Sequence, residues 1–281
     1  AAPSMDRPAR TFGSELRRWR LQRGLTQMGL AHAAEVSTRH LSWLESGRAE
    51  PSRAMVLRLA ERLDVPLRER NALLVAAGFA PMYGQHRLDD APLAALRESL
   101  QRLLEAPDPW PAMAVDRDWN LVAANAAVPR RLGQPLAEGG PVNVVRLSLD
   151  PQGLGQWLVD GERWREHIGR RLQRQWAATG DEAFAALLAE VSAPSHEGHA
   201  AAAVEPVPPP PALTPAPTPA LPPVLPLVLD TPKGRLSFLT TVTVFGAPHD
   251  VLASEIAVET LLPADVPTAE RLRSLALDAP G

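Results

Sequence analysis

The chain of 281 residues contains no cysteine, so disulfides and thiolate zinc sites are excluded and a reducing compartment suits it. No apolar run reaches the length that crosses a bilayer, and the first residues lack the hydrophobic core of a signal peptide. A cytoplasmic protein with no membrane partner is expected. Ala1 to Ser4, ahead of Met5, read as an expression-vector remnant and stand outside the fold reasoning. Lysine and tyrosine occur once each, at Lys233 and Tyr83, too far apart for a closely spaced tyrosine–lysine pair. A Gly-x-Ser-x-Gly elbow and a phosphate loop are also missing, so the sequence offers an enzyme little and implies no cofactor.

What is present is unevenly placed. The net charge of -3 hides a basic part: Arg10 to Arg70 holds 12 arginines against 7 acidic residues, whereas Leu227 to Gly281 holds 4 basic against 7 acidic residues. The basic part is where a nucleic acid is expected to bind. Thirty prolines are an excess, and 11 of the 21 residues from Pro206 to Pro226 are proline. No central strand or helix tolerates this, so residues 193–226 read as a polyproline-rich loop or disordered insert. His196 and His199 precede it, three apart where the helical zinc motif needs four, so no metal site is expected.

The stretch Thr26 to Arg48, TQMGLAHAAEVSTRHLSWLESGR, reads as two short helices joined by a tight turn. Thr26 and Ser37 supply N-cap hydroxyls, Leu30, Ala31 and Ala34 face inward from the first helix, and Leu41 and Leu44 from the second. Gly47 ends the second helix. Thr38, Arg39, Ser42 and Trp43 are then left on the outer face as candidate base readers. An arginine at the start of such a helix makes a bidentate contact to guanine worth roughly 1 to 3 kcal/mol of discrimination, which puts Arg39 first. Trp43 either packs on a thymine methyl or a sugar, or turns inward as core; the sequence leaves both open. Gln27, Ser37, Arg48 and Arg53 are placed for phosphate. Flanking this pair, Phe12, Leu16 and Trp19 predict a first helix whose outer face carries Arg17, Arg18 and Arg20. Two further helices follow, carrying Val56, Leu59, Ala60 and Leu63, then Leu67, Asn71 and Leu74.

From Asp90, a helix with Leu93, Leu96, Leu100 and Leu103 runs toward Pro107. Beyond it Ala112 to Ala123 reads as a β-hairpin around an acidic turn, with Asn125 capping a short helix. Trp157, Gly161, Trp164, Ile168 and Leu172 form one helical stripe, and Phe184, Leu187, Leu188 and Val191 another. Leu236 to Phe245 and Ile256 to Leu262 are strand candidates. The expected organisation is a flexible start (1–10), an all-α DNA-binding domain (11–80), a linker helix (81–108) and an α+β domain (109–277) with the insert at 193–226.

Leu25-Thr26-Gln27, Leu30-Ala31, Val36-Ser37, Leu41, Leu44-Glu45 and Gly47-Arg48 resemble the Xre family, which includes phage Cro and the lambda repressor. Glu35 stands where that turn usually has glycine, so it must accept a left-handed backbone or the turn is built differently. More narrowly, VSTRHLSWLESGR, LDVPLRERNALLVAAGFAP, VDRDWNLVAANAA, NVVRL and FLTTVTVFGAPHDV resemble, in order, Xre regulators with a MmyB-like, PAS-like ligand-binding domain. The resemblance implies a bacterial transcription factor with a small apolar effector, a long-chain fatty acid being the best precedent. A domain of this size binds DNA weakly alone, so a homodimer on an inverted-repeat operator is expected.

A dozen buried methylenes supply on the order of 10 kcal/mol. A carboxylate head needs a partner, for which the resemblance and its apolar neighbours point to Arg146; a salt bridge at a domain edge is the other reading of that residue. Met113, Val115, Trp119, Trp157, Trp164, Phe238 and Phe245 are the candidate lining. Two other functions remain: a C-terminal half that only dimerises or binds a protein, and an enzyme.

Overall fold

The computed structural model describes residues 11–106, 109–132, 142–192 and 225–277. The expected flexible start, Pro107 and residues 193–224 of the proline-rich insert, with His196 and His199, lie outside the described residues.

The N-terminal half consists of α1 (Phe12–Gln22), α2 (Gln27–Ala33), α3 (Thr38–Glu45), α4 (Arg53–Arg62) and α5 (Leu67–Ala76). Hydroxyls start the first four: Thr11, Thr26, Ser37 and Ser52 each accept the N–H three residues on, satisfying a donor that the helix itself leaves unpaired. All five end on a left-handed residue, Gly24, Glu35, Gly47, Asp64 or Gly78, and the chain folds back onto the last turn. At Glu35 the backbone does take the left-handed form, with φ 56°. Hydrogen bonds from Glu35 N–H to His32 and from Val36 N–H to Ala31 offset the roughly 1–2 kcal/mol that a side chain costs there.

Leu16, Trp19, Leu30, Leu41, Leu44, Leu59 and Leu74 are packed into one buried cluster. Helix α1 crosses α3 so closely that a Cβ on Gly13 would fall 2.5 Å from the Leu44 carbonyl oxygen, a backbone-to-backbone contact open to glycine alone.

A 3-10 turn (Ala91–Leu93) and α6 (Ala94–Glu105) lead into the second half. There follow β1 (Ala112–Val115), β2 (Leu121–Ala124), α7 (Ala127–Leu132), α8 (Val144–Leu149), a 3-10 turn (Leu154–Trp157), α9 (Gly161–Thr179) and α10 (Glu182–Ser192). The chain closes with β3 (Leu227–Thr231), β4 (Gly234–Val244), α11 (Val251–Glu255), β5 (Ala257–Pro263) and α12 (Val266–Leu277). Among the described residues the strands form one antiparallel sheet, β2-β1-β5-β4-β3. The early hairpin meets the late three-strand meander at β1 and β5, the arrangement of a PAS-type sensor.

Helix α6 covers one face of the sheet, setting Leu100 and Leu104 against Ala112, Ala114 and Val258. Helices α8 and α9 lie over the other, where Val145, Ile168 and Leu172 cluster with Trp119, and α10 packs on α9. The expected fold class is borne out: an all-α helix-turn-helix half followed by an α+β, PAS-like half. Among the described residues no helix is long and apolar enough to cross a membrane.

Several local expectations change. Strand β3 is an addition to the two late strands that the sequence predicts; its Leu227 lies opposite Phe238 and its Thr231 opposite Gly234. Trp157 sits in a 3-10 turn outside the long helix, because Asp160 caps α9 by accepting the Arg163 N–H. Asp90 makes no side-chain cap, its carboxylate being taken by the Arg87 N–H. Asn125 sews α6 to β1: its Oδ1 accepts the Ala112 N–H and its Nδ2 donates to the Leu104 and Trp110 carbonyls.

Among the described residues, two sets of contacts join the helices of the first half to the second. Arg68 of α5 forks onto the Glu255 carboxylate of α11 at 2.8 and 2.7 Å. Arg117, in the β1–β2 turn, is 3.2 Å from the same carboxylate and 3.7 Å from Glu69 of α5, and it also bonds Asp181. Burial pushes the Glu69 carboxyl up from its ordinary range, and Arg117 only partly opposes this. Separately, Gln22 and Arg23, at the end of α1, donate to the carbonyls of Ala177 and Ala178 at the end of α9, at 2.7 and 3.2 Å.

Candidate functional site

The DNA-facing candidates are built on α3. Leu41 and Leu44 point into the core, which turns Thr38, Arg39 and Trp43 outward and leaves Ser42 half-buried. Trp43 is 37% exposed, so of its two readings the structure takes the outward one. The Arg39 guanidinium lies 4.6 Å over the Trp43 ring, one helical turn away, a cation–π contact that holds both side chains side by side. Ser37 spends its hydroxyl on the His40 N–H as the cap of α3. Arg48 and Arg53 are exposed just beyond α3 and at the start of α4. Gln27 is not free: its side-chain amide donates to Glu45 Oε2 at 2.9 Å.

Glu45 anchors the far end of α3, and its main partner is Arg20. The expected outward position of Arg20 is incorrect. Four residues on from Leu16, it lies on the flank of the buried stripe, 6% exposed, with its stem in the core. It meets the Glu45 carboxylate at 2.6 and 2.9 Å and donates to the Leu25 carbonyl. Burial disfavours the Glu45 carboxylate, but the hydrogen bonds from Arg20 and Gln27 outweigh it and hold Glu45 below the usual carboxylate range. The same pairing raises Arg20.

In the second half a cavity of about 80 Å³ lies between α8, α9 and the sheet. Of the expected lining, Met113, Trp119 and Trp164 are brought together there, joined by Val145, Ile168 and Leu261. Trp157 and Phe238 pack beside it in the cluster of Leu229 and Leu236. Val115 is buried away from it, and Phe245 lies against the Leu100 cluster on the other face of the sheet. Arg146 is not in the cavity. Asn143 caps α8 so that Val145 faces inward; Arg146, about 100° further round, is 60% exposed and forks onto Glu190 of α10. Of its two sequence readings the salt bridge is the one observed.

The cation in the cavity is Arg171, which bonds Glu259 of β5 and stacks 4.3 Å over the Trp119 ring. Sequence reasoning missed both partners, although each left a signal: Arg171 falls seven residues after Trp164 on the apolar stripe, and Glu259 on the inward register of a β-rich strand. His167 also lines the cavity and stacks on Trp164 with centroids 5.4 Å apart. Burial, and then repulsion by Arg171, Arg170 and Arg174, lower its basicity below that of an ordinary imidazole. Trp119 has a left-handed φ of 67°. The strain is held by Asp116 Oδ1, which accepts the N–H groups of Asp118 and Asn120, and by the indole N–H donating to Gln175.

A larger groove, about 490 Å³, lies between α6 and β2, but none of the expected ligand residues lines it. Among the described residues no group of three His, Asp or Glu is placed to hold a metal ion.

A helix-turn-helix reader followed by an α+β domain with an internal apolar cavity defines a DNA-binding transcriptional regulator with a ligand-binding domain. Residues 96–275 match the MmyB-like transcription regulator ligand binding domain, and the chain belongs to that family. Residues 11–73 match a helix-turn-helix domain. No protein of curated function matches the chain.

Two solved structures of the clp gene regulator ClgR from Corynebacterium glutamicum are similar to part of this chain. One is 33% identical over 24% of this chain and 83% of its own, with a TM-score of 0.21. The other is 31% identical over 35% of this chain and 90% of its own, with a TM-score of 0.21. An RNA-binding Light-Oxygen-Voltage receptor is 15% identical over 95% of this chain and 64% of its own, with a TM-score of 0.29.

Proposed function

We propose that this regulator works in the cytoplasm as an Xre-type homodimer on an inverted-repeat operator. Thr38, Arg39, Ser42 and Trp43 read bases, and Gln27, Ser37, Arg48 and Arg53 hold phosphate, Gln27 and Ser37 through their place at helix starts. The reader spans residues 11–80, the linker 81–108 and the sensor 109–277. The effector is a small apolar molecule, a long-chain fatty acid as first choice, bound at the cavity between α8, α9 and the sheet.

One observation carries the reading. Helix α9 lines the cavity with Trp164, His167, Ile168 and Arg171, and the carbonyls at its end hold Gln22 and Arg23 of the reader. A ligand that favours one position of α9 therefore has differential contacts with which to shift the reader. Dimerisation is supported by β4. β3 pairs with it only as far as Phe238, and Thr241 to Val244 are exposed, β-branched and uncharged, the kind of strand edge to which a second copy adds. The reading assigns no catalytic residue.

The test is to extract the denatured protein with organic solvent, identify released molecules by mass spectrometry, and measure operator binding with and without them. A stoichiometric apolar molecule that changes operator affinity is expected. Operator affinity indifferent to every small molecule would leave the second half as a dimerisation or protein-binding module.

A further inference from the structure

The cavity under α9 is one of two that share a wall. Trp164 and Leu227 line it from one side and also line a second cavity of about 220 Å³, bounded by Leu158, Val159, Arg163 and Arg235. The inner cavity, about 80 Å³, is smaller than the roughly 150 Å³ apolar cavity known to accept benzene, so a longer molecule fits only where the two are joined. Trp164 stands at the junction, half-buried. It is held by one long hydrogen bond from its indole N–H to Ser148 Oγ, at 3.3 Å, and by its stack on His167.

The two ends differ in charge. Inside, Arg171 is already neutralised by Glu259. Outside, neither Arg163 nor Arg235 has an ion pair among the described residues. Asp160, the carboxylate of that wall, is engaged as the cap of α9; Asp230, opposite Arg235 across the β3–β4 ladder, and Asp265, which feels the charge of Arg235 but is bonded by Thr268, do not reach ion-pair distance. Arg163 also lies on the same helix as the inner wall. From it to Arg171 is eight residue steps, about 12 Å of helix and the length of a medium acyl chain.

We infer that the two cavities form one channel for an amphiphile with an anionic head: the tail passes Trp164 toward Ile168 and Leu261, and the head rests between Arg163 and Arg235. This rests on the reading of the sensor as a binder of apolar effectors, and it assigns the polar end of that site to a place neither Arg146 nor Arg171 occupies. Charge-assisted bonds from two guanidiniums favour an acid over the alcohol of equal chain length.

The experiment is calorimetric titration of the full chain with dodecanoate and with 1-dodecanol. The wild type is expected to bind dodecanoate more tightly, by roughly tenfold. The Arg163→Gln/Arg235→Gln double variant is expected to lose that preference while keeping its affinity for dodecanol, which doubles as the control that the cavity is intact. Arg146→Gln is expected to behave as wild type. A double variant that still prefers the acid, or a wild type that binds both alike, overturns the head-group assignment and leaves the effector reading standing. If neither amphiphile binds the wild type, the effector reading fails and this assignment fails with it.

Discussion

Glu255 accepts both forks of Arg68 across the boundary between the reader and the sensor, and Arg117, two residues before the cavity-lining Trp119, reaches the same carboxylate. Replacing Glu255 by Gln removes the carboxylate that Arg68 and Arg117 share, leaving Arg117 with Asp181 and Glu69, at a cost of about 1–3 kcal/mol of stability. The change in operator affinity on adding effector is expected to shrink while effector affinity itself holds. Calorimetry and fluorescence anisotropy on the Glu255→Gln variant check this, and an unchanged effector response would remove this contact from the coupling.

Glu69 sits in the same contact and supplies a pH dependence. Its folded-state pKa is raised, chiefly by burial, above the ordinary value. The ionised form therefore costs stability above the folded pKa, and that cost disappears as the pH falls below the unfolded value. Glu69→Gln is expected to raise the Tm at pH 7, with the gain fading as the pH approaches the ordinary glutamate range. A Tm at pH 7 no higher than wild type counts against the burial of that carboxyl.

At the DNA, Arg39→Ala is expected to relax preference at one base position per half-site, a loss of about 1–3 kcal/mol confined to the preferred base. Arg48→Ala is expected to weaken all sequences alike and to reduce the salt-dependence slope by about one. Binding to a panel of operator variants at several salt concentrations separates the two, and equal losses across the panel for both would end the distinction.

Removing one member of the Arg20–Glu45 pair strands a buried charge. Glu45→Ala is expected to cost about 3–5 kcal/mol, and Arg20→Met combined with Glu45→Leu less than the single change. Denaturant unfolding of the single and double variants measures the difference; a double variant worse than the single one contradicts it.

If the proposed homodimer forms through β4, Val242→Lys/Val244→Lys, at two exposed positions, is expected to give monomers and to lower operator affinity with the fold retained. Sedimentation and circular dichroism decide it: a dimer that persists places the interface elsewhere.

The reader was legible because its determinants are local. Caps, turn glycines and apolar spacing all act within four residues, and even the Glu35 turn, where the expected glycine is missing, closes with bonds to its own helix. What was missed spans distance. Arg20 looked like surface because Glu45 is 25 residues away, and the polar pair in the cavity joins Arg171 to Glu259 across 88. Arg146 has apolar neighbours in sequence, yet a six-residue helix sets adjacent side chains on different faces, so Val145 points inward and Arg146 outward. Strand β3 was hidden by the prolines that run up to it, and Trp157 shared a helical spacing with residues from which Asp160 separates it.

The contact of Gly13 with the Leu44 carbonyl, together with the Arg20–Glu45 pair, fixes α3 from behind, by backbone and by buried charge. None of that fixation passes through Thr38, Arg39 or Trp43. With Thr38, Arg39 and Trp43 reading bases as proposed, the outer surface of α3 is an exchangeable cassette: a lineage can substitute those positions to acquire a new operator without repaying any debt to the fold, so relatives of this chain are expected to diverge in target sequence faster than in architecture.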